Sequence, residues 1–221
     1  MHQYSLDKKI RERVLYIIVI LSVALSPVLK NLFAGLIETI GSFINQSEAL
    51  SLFAKTIKDA ELVPNVIGVP VIYGLLFLLF DRFLWKFKPL NRILGVPNLS
   101  GKWTGKLQSS YDDEYYEMTL EIKQTWTKIQ CKSIFGKSSS NSKIAAVYLN
   151  DPGSPVLYFS FQNQSQDLAT KNQQYDGFNI LSLGSNKKTL SGKYFNDRPN
   201  PKKTVKGGNM GNIELTKEAK Q

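Results

Sequence analysis

The feature that most constrains this chain is a run of 19 residues without a charge, which lies between Glu61 and Asp81. The run closes on six contiguous apolar residues, Leu75–Phe80. Its length is close to the ~20 apolar residues that a membrane-spanning helix needs. We therefore predict a transmembrane helix over Leu62–Phe80. The alternative is a buried core helix, which a soluble fold of this size would have difficulty accommodating.

A second apolar run lies nearer the N-terminus, over Val14–Leu29, where thirteen of sixteen residues are apolar. At ~1.5 Å per residue it covers roughly 24 Å, less than a ~30 Å hydrocarbon core. The run resumes at Leu32–Ile37, and Lys30 can extend its ammonium toward the headgroups, so a span near residues 14–36 is predicted. The alternative is a cleaved signal peptide ending near Ala24-Leu25-Ser26. The apolar stretch continues beyond that point, which favours a retained helix.

The charges that flank the two runs predict an orientation. The loop between them, about 38–61, carries two lysines against four carboxylates. The outer flanks are basic, with Lys8, Lys9, Arg11 and Arg13 before the first run and Arg82, Lys86, Lys88 and Arg92 after the second. Cytoplasmic flanks are enriched in Lys and Arg. Both termini are therefore predicted to be cytoplasmic and the loop external.

From Leu99 onward the pattern changes to short alternating segments, of which Tyr116–Lys123 is the clearest. Met118, Leu120 and Ile122 share one face there, as in a half-buried strand. Turn-forming residues separate the segments, among them the cluster Ser138–Ser142. The other predicted strands are Lys102–Gln108, Lys128–Ile134, Lys143–Leu149, Val156–Gln162, Gly177–Leu183, Thr189–Asn196 and Gly211–Leu215. Eight such strands predict an up-and-down antiparallel β-barrel, and a two-sheet sandwich is the alternative fold.

These patterns predict a membrane protein with two N-terminal transmembrane α-helices followed by an all-β domain. Its predicted parts are a cytoplasmic N-terminal segment (1–13), two transmembrane helices with an external loop (14–85), a basic linker (86–98) and a cytoplasmic β-barrel ligand-binding domain (99–221). Proline and glycine in the linker favour a jointed connection.

Composition excludes several kinds of chemistry. The chain has one Cys and one His, so a disulfide framework, a Ser-His-Asp triad and a multi-His metal site are not expected. We predict no catalytic residues, no cofactor and no metal, and hence a protein that is not an enzyme. The formal net charge is +10, and a basic cytoplasmic domain suits an anionic small ligand or the inner membrane surface.

The order of parts, with three short motifs, resembles a known family. A Gly-x-Trp on the first barrel strand, Gly101-Lys102-Trp103, is similar to that of lipocalins and avidin, in which the tryptophan fills the closed end. Two N-terminal spans, a basic linker and such a barrel resemble the two-transmembrane β-barrel effector of bacterial CBASS antiphage defence, a family associated with nucleotidyltransferases related to cGAS. The segments Leu190–Asn196 and Gly211–Leu215 resemble the last two strands of that family.

The resemblance implies a specific function. The barrel would bind a cyclic dinucleotide made on phage infection, and binding would drive homo-oligomerisation. The transmembrane helices would then disrupt the bacterial inner membrane and cause abortive infection. The implied partners are therefore the cyclic dinucleotide second messenger, the lipid bilayer and further copies of the chain, and no nucleic acid polymer. The alternative is a membrane-tethered, lipocalin-like binding protein for a small apolar ligand.

Strand alternation predicts which side chains would meet the ligand. Tyr194 and Asn196 share the inward face of the penultimate strand, and Arg198 follows in phase. Tyr194 would stack on a base, Asn196 would hydrogen-bond a base edge, and Arg198 would hold a phosphate bidentately. Trp126 near the barrel mouth and Lys203 in the following turn complete the predicted site. Barrel filling for Tyr194 and Trp126, turn formation for Asn196 and a solvated loop for Lys203 are the competing roles.

Overall fold

The computed structural model describes residues 1–44, 68–136, 138–149, 154–165, 175–199 and 208–219. It divides into two compact units. One unit combines Met1–Lys8 with Trp85–Gln221, and the other is Lys9–Leu84. The segment expected to be a loose linker therefore belongs to the compact unit that contains the strands.

The strand-containing unit is a closed barrel. Its strands are β1 (His2–Ser5), β2 (Gly101–Gln108), β3 (Tyr115–Gln124), β4 (Lys128–Phe135), β5 (Ser138–Tyr148), β6 (Val156–Ser165), β7 (Tyr175–Leu183), β8 (Thr189–Asn196) and β9 (Asn209–Lys217). From β2 to β9 each strand pairs antiparallel with the next, and β9 returns to pair with β2. The up-and-down barrel is thereby confirmed, and the alternative of a sandwich is wrong.

The apolar faces of these strands fill the barrel interior, as their alternation predicts. Leu120, Leu181, Leu190 and Ile213 are fully buried on four different strands. Each apolar side chain removed from water stabilises the fold by about 1.5–3 kcal/mol. The interior is therefore packed over much of its length, which leaves a cavity only toward one end.

The count of eight strands is wrong, because the structure has a ninth, β1, in the segment that we predicted to precede the membrane. β1 lies between β4 and β5, antiparallel to the first at His2↔Ile129 and parallel to the second at Tyr4↔Ala145. His2 Nε2 lies 2.7 Å from Ser142 Oγ. The register between β5 and β6 also shifts between Ser142 and Ala145. β4 and β5 pair directly only at their other ends, so β1 fills the gap that they leave.

One end of the barrel is closed by tryptophans. Trp103 is fully buried and its indole Nε1 donates to Leu99 O at 2.9 Å, so its predicted role as a core plug is confirmed. Trp85 is also fully buried, with its ring 6.1 Å from that of Trp126 in the β3–β4 turn. Gln124 connects the end of β3 to β1 and to the segment before β2. Its side chain accepts from Leu99 N at 2.8 Å and donates to Tyr4 Oη at 3.3 Å.

The chain before β2 packs as short helices. A 3-10 turn covers Leu84–Lys86, and helix α3 covers Lys88–Leu94. α3 ends at Gly95, whose φ of 67° is the left-handed conformation that glycine adopts at little cost. Asn91 then donates to Val96 O at 2.7 Å. These bonds shape the turn between α3 and the barrel, and the jointed character of the linker stays a prediction.

Among the residues that the structure describes, the other unit contains the helices α1 (Lys8–Ile44) and α2 (Val69–Arg82). Within the described residues, one segment, Lys8–Leu29, is long and apolar enough to cross a membrane, and it includes the first apolar run, Val14–Leu29. α1 runs to Ile44 and so takes in the start of the predicted loop. The first part of the predicted second span, 62–67, and the loop beyond residue 44 lie outside the described residues. α2 alone, with 14 residues, is shorter than a bilayer-spanning helix, so the pair of spans stays a prediction.

Candidate ligand-binding site

A cavity lies inside the barrel at the end away from the tryptophans. The space not occupied by atoms is about 770 Å³, which includes open solvent at its mouth. Its lining comes from the same end of all eight long strands, because up-and-down strands bring alternate turns to one rim. The lining residues are Leu107, Ser109, Tyr111, Asp112, Tyr116, Met118, Ser133, Phe135, Ser138, Ser140, Phe161, Asn163, Tyr175, Asn179, Tyr194, Asn196, Arg198 and Asn209.

Arg198 supplies a cation to this cavity from just beyond the end of β8. Its guanidinium carbon lies 4.0 Å from the ring centroid of Tyr111 and 5.7 Å from that of Tyr175. The aromatic faces attract the cation electrostatically and fix its plane. Its Nε atom is buried, and no hydrogen-bond partner is present in the described part of the chain. The guanidinium is therefore positioned and still has a donor to offer an anion.

The backbone around Arg198 is held by two asparagine side chains. Asn196 Oδ1 accepts from Arg198 N at 3.1 Å and from Asn209 Nδ2 at 3.3 Å. Asn209, almost fully buried, also donates Nδ2 to Arg198 O at 2.9 Å. The side-chain oxygen of Asn196 is thus engaged in the turn, which agrees with turn formation, the competing role given for this residue. The amide nitrogen of Asn196 is the group that could meet a ligand.

Tyr194 forms part of the cavity wall. It is 5% exposed, and its hydroxyl donates to Ser109 Oγ at 3.2 Å. Burial raises the pKa of this phenol, so it stays neutral. Gly211 on β9 makes room for the ring, because a Cβ at this position would lie 2.8 Å from Tyr194 Cε1. The tyrosine therefore presents an apolar wall with a satisfied polar end.

The mouth of the cavity carries a tyrosine–carboxylate pair. The hydroxyl of Tyr116 donates to Asp112 Oδ2, and this bond raises the pKa of Tyr116 to about 12. Burial and the negative charge of Asp112 act in the same direction, while the positive charge of Arg198 opposes them. The carboxylate of Asp112, in the turn between β2 and β3, therefore belongs to a residue that lines the cavity.

Three of the five predicted site residues, Tyr194, Asn196 and Arg198, are thus brought together. Trp126 is not among the lining residues. It is 2% exposed and packs at the opposite end against Trp85, because the β3 alternation carries it to the β3–β4 turn. Trp126 therefore lies in the core, as the competing role of a core aromatic predicts. Lys203 lies outside the described residues.

Sequence reasoning missed much of the lining. Tyr111 and Tyr175 have rings close to Arg198. Tyr111 lies in the turn after β2, where alternation gives no guidance, whereas Tyr175 begins β7 in the same phase as Asn179. Asn163 and Asn179 are each 3% exposed and could have been found. Asn163 continues the inward phase of Phe159 and Phe161 on β6, and Asn179 precedes Leu181 and Leu183 in the same phase on β7. A polar residue at an inward position of a strand whose other inward residues are apolar is the sequence signal that indicates such a lining residue.

A closed barrel with a polar and aromatic cavity at one end is typical of small-ligand-binding β-barrels. Residues 94–217 match the family model described as Cap15, cyclic dinucleotide receptor domain. The chain belongs to this family, and the resemblance to CBASS effectors drawn from the sequence is confirmed.

A relative in Yersinia aleksiciae supports the assignment. The protein named CD-NTase-associated protein 15 is 29% identical to this chain over 134 residues. The match covers 60% of this chain and 64% of the relative, so the two proteins are compared over less than two thirds of the relative's length.

Proposed function

We propose that this protein is a CBASS effector whose barrel binds a cyclic dinucleotide and whose N-terminal helices then act on the bacterial inner membrane. The observation that carries the proposal is the Arg198 guanidinium beside the Tyr111 ring in the cavity of a cyclic dinucleotide receptor domain. In this proposal the protein is a receptor and not an enzyme.

The chemistry of the cavity matches this ligand class. A cyclic dinucleotide has two phosphates, which require cations or N–H donors, and two bases, which require aromatic faces. Arg198 is placed for a phosphate, and Tyr111 and Tyr175 beside it offer ring faces. Asn163 and Asn179 offer amides for base edges. This mixture favours a polar, anionic ligand over the apolar ligand of the lipocalin-like alternative.

The position of β1 supports the predicted topology. β1 precedes α1 by two residues, yet it forms part of the same barrel as β2–β9. A strand cannot pair with a barrel on the other side of a bilayer. If α1 crosses the membrane, the chain must therefore cross an even number of times before Trp85. We infer two crossings, with the barrel and both termini in the cytoplasm, as the flanking charges predict.

The proposed effect of ligand binding is disruption of the inner membrane. Ligand binding would favour contacts between copies of the protein, and the assembled apolar helices would disrupt the inner membrane and stop growth of the infected cell. Differential affinity of the ligand for the assembled state would provide the driving force.

Calorimetry on the full chain in detergent micelles tests the receptor step, with a panel of 3′–5′-linked cyclic dinucleotides that covers all four bases. We expect one or more to bind, and Arg198→Ala to weaken binding by at least about tenfold through loss of a charge-assisted contact. Lys193→Ala is the matched control, because Lys193 is exposed on the outer face of β8. Absence of binding by every member of the panel would refute the receptor.

Dye-loaded vesicles with inner-membrane lipids test the output. The reconstituted protein should release dye only after addition of the ligand found by calorimetry, and light scattering in micelles should show a larger assembly. The Arg198→Ala protein should do neither at the same ligand concentration. Ligand-bound monomers in intact vesicles would contradict the effector mechanism while leaving the receptor in place.

A further inference from the structure

We propose that Ser133, Ser140 and Asn163 form a base-reading wall that determines which cyclic dinucleotide the barrel accepts. The inference rests on the proposed function, because it takes the ligand to be a cyclic dinucleotide. It assigns base selectivity to side chains on β4, β5 and β6, and general affinity to Arg198.

The three side chains lie in one row across adjacent strands. Ser133 on β4 pairs with Ser140 on β5, and Ser140 pairs in turn with Asn163 on β6. Directly paired residues project to the same face of a sheet with Cβ atoms about 4.5–5.5 Å apart. All three are at most 3% exposed, and all three line the cavity. They are therefore neighbours on its inner wall.

Ser133 provides the observation that indicates a ligand group. Its Oγ is buried and has no hydrogen-bond partner among the residues that the structure describes. Buried polar groups are almost always paired, and an unpaired one costs free energy. Because Ser133 is one of the residues that line the cavity, a ligand atom that reaches this hydroxyl would satisfy it. An apolar residue in its place would make the empty protein more stable.

The β4 end of the wall lies opposite Arg198, and its β6 end lies nearer to Arg198. In the ring formed by β2–β9, three strands separate β4 from β8 in either direction, whereas β7 alone separates β6 from β8. A ligand whose phosphate meets Arg198 beyond the end of β8 therefore extends toward the wall on β4–β6.

The wall is uncharged, which suits a base more than a second phosphate. Serine hydroxyls and an asparagine amide can each donate and accept, as the mixed edge of a nucleobase requires. A buried site of this kind discriminates strongly, since a ligand lacking the matching group leaves polar atoms unpaired. Selectivity should therefore depend on the wall far more than on the guanidinium.

The test measures affinities of the full chain in micelles for cyclic di-GMP, cyclic di-AMP and cyclic di-UMP, which differ only in their bases. We expect Ser133→Ala to weaken the best-bound ligand by about tenfold and the others by less than about threefold, which compresses the selectivity. Arg198→Ala should weaken all three by a similar factor. Ser191→Ala, on the exposed outer face of β8, is the matched control and should change none.

Thermal unfolding separates a binding effect from misfolding. Without ligand, Ser133→Ala should unfold at a temperature equal to or above that of the unsubstituted protein, because it removes an unpaired buried hydroxyl. Ser140→Ala provides a second variant in the same row and should also compress the selectivity. Equal weakening of all three ligands, or unchanged ratios in both variants, would overturn the wall and leave the receptor intact. If none of the wider panel binds the unsubstituted protein, the proposed function is refuted and the wall with it.

Discussion

At the scale of single residues, the candidate site combines groups that hold each other in place. Arg198 is fixed by the face of Tyr111 and by backbone bonds from Asn196 and Asn209. Preorganisation of this kind lowers the entropy lost when a ligand binds. The guanidinium can therefore meet a phosphate without first being ordered.

The Tyr116–Asp112 pair makes the barrel sensitive to alkali. The neutral phenol donates to the carboxylate, and its pKa is raised from 10.0 to about 12. The stability due to this bond should be fully present below pH ~10 and should be lost as the pH rises through about 12. In absorbance titrations, the Tyr116→Phe difference curve should have a midpoint near 12, and Asp112→Asn should move it toward 10.

Tyr148→Phe is the control for that titration, because it removes an exposed tyrosine from the far end of β5. A Tyr116 midpoint that does not move in Asp112→Asn would exclude the carboxylate as the cause of the raised pKa.

At the scale of elements, alternation predicted the eight long strands because their inward residues are apolar. It failed where inward residues are polar. Ser138–Ser142 was interpreted as a turn, yet it is the first half of β5, with Ser140 and Ser142 buried. β1 was missed for a different reason. Its four residues lie beside a basic helix start, and its pairing partners lie too far along the chain for local patterns to show.

Of the site, alternation could give only the residues that lie within regular strands. Tyr194 and Asn196 were found because β8 is regular up to its end, and Arg198 because the phase continues two residues further. Tyr111 depends on turn geometry, whereas Tyr175 lies at the start of β7, and the approach of both rings to Arg198 is a tertiary contact. Local pattern therefore identifies a wall of the cavity but not its mouth.

Proline substitution tests whether β1 is a structural strand of the barrel. Gln3→Pro removes a backbone donor at the position paired with Lys128, and proline is poorly tolerated inside a sheet. We expect a loss of about 1–3 kcal/mol in the free energy of unfolding, measured by denaturant titration in micelles. Lys8→Pro is the matched control, because proline is accepted at the first position of a helix. Equal stability of the two variants would show that β1 contributes nothing.

At the scale of the whole molecule, the helical unit interrupts the barrel in sequence, since residues on both sides of it belong to one compact unit. A membrane-inserted helical unit then has both of its connections on the same side as the barrel. This constraint is independent of flanking charge and leaves the side of the membrane open, and the flanking charge predicts that this side is the cytoplasm.

Cysteine labelling in intact cells tests that orientation. The natural Cys131 is fully buried, and burial raises the pKa of its thiol, so it should not react. Ser47→Cys in the predicted external loop should react with a membrane-impermeant maleimide in cells whose outer membrane is permeable to it. Lys193→Cys on the barrel should react only after the inner membrane is opened. The reverse pattern would place the barrel outside the cytoplasm and remove the proposed route to the ligand.

The place of β1 has a consequence for how the barrel closes. His2 and Ser142, which meet in the finished barrel, are 140 residues apart in sequence. A contact of such separation requires a long loop to close before it stabilises anything. The seam between β4 and β5 therefore closes only when segments on both sides of the helical unit in sequence have come together.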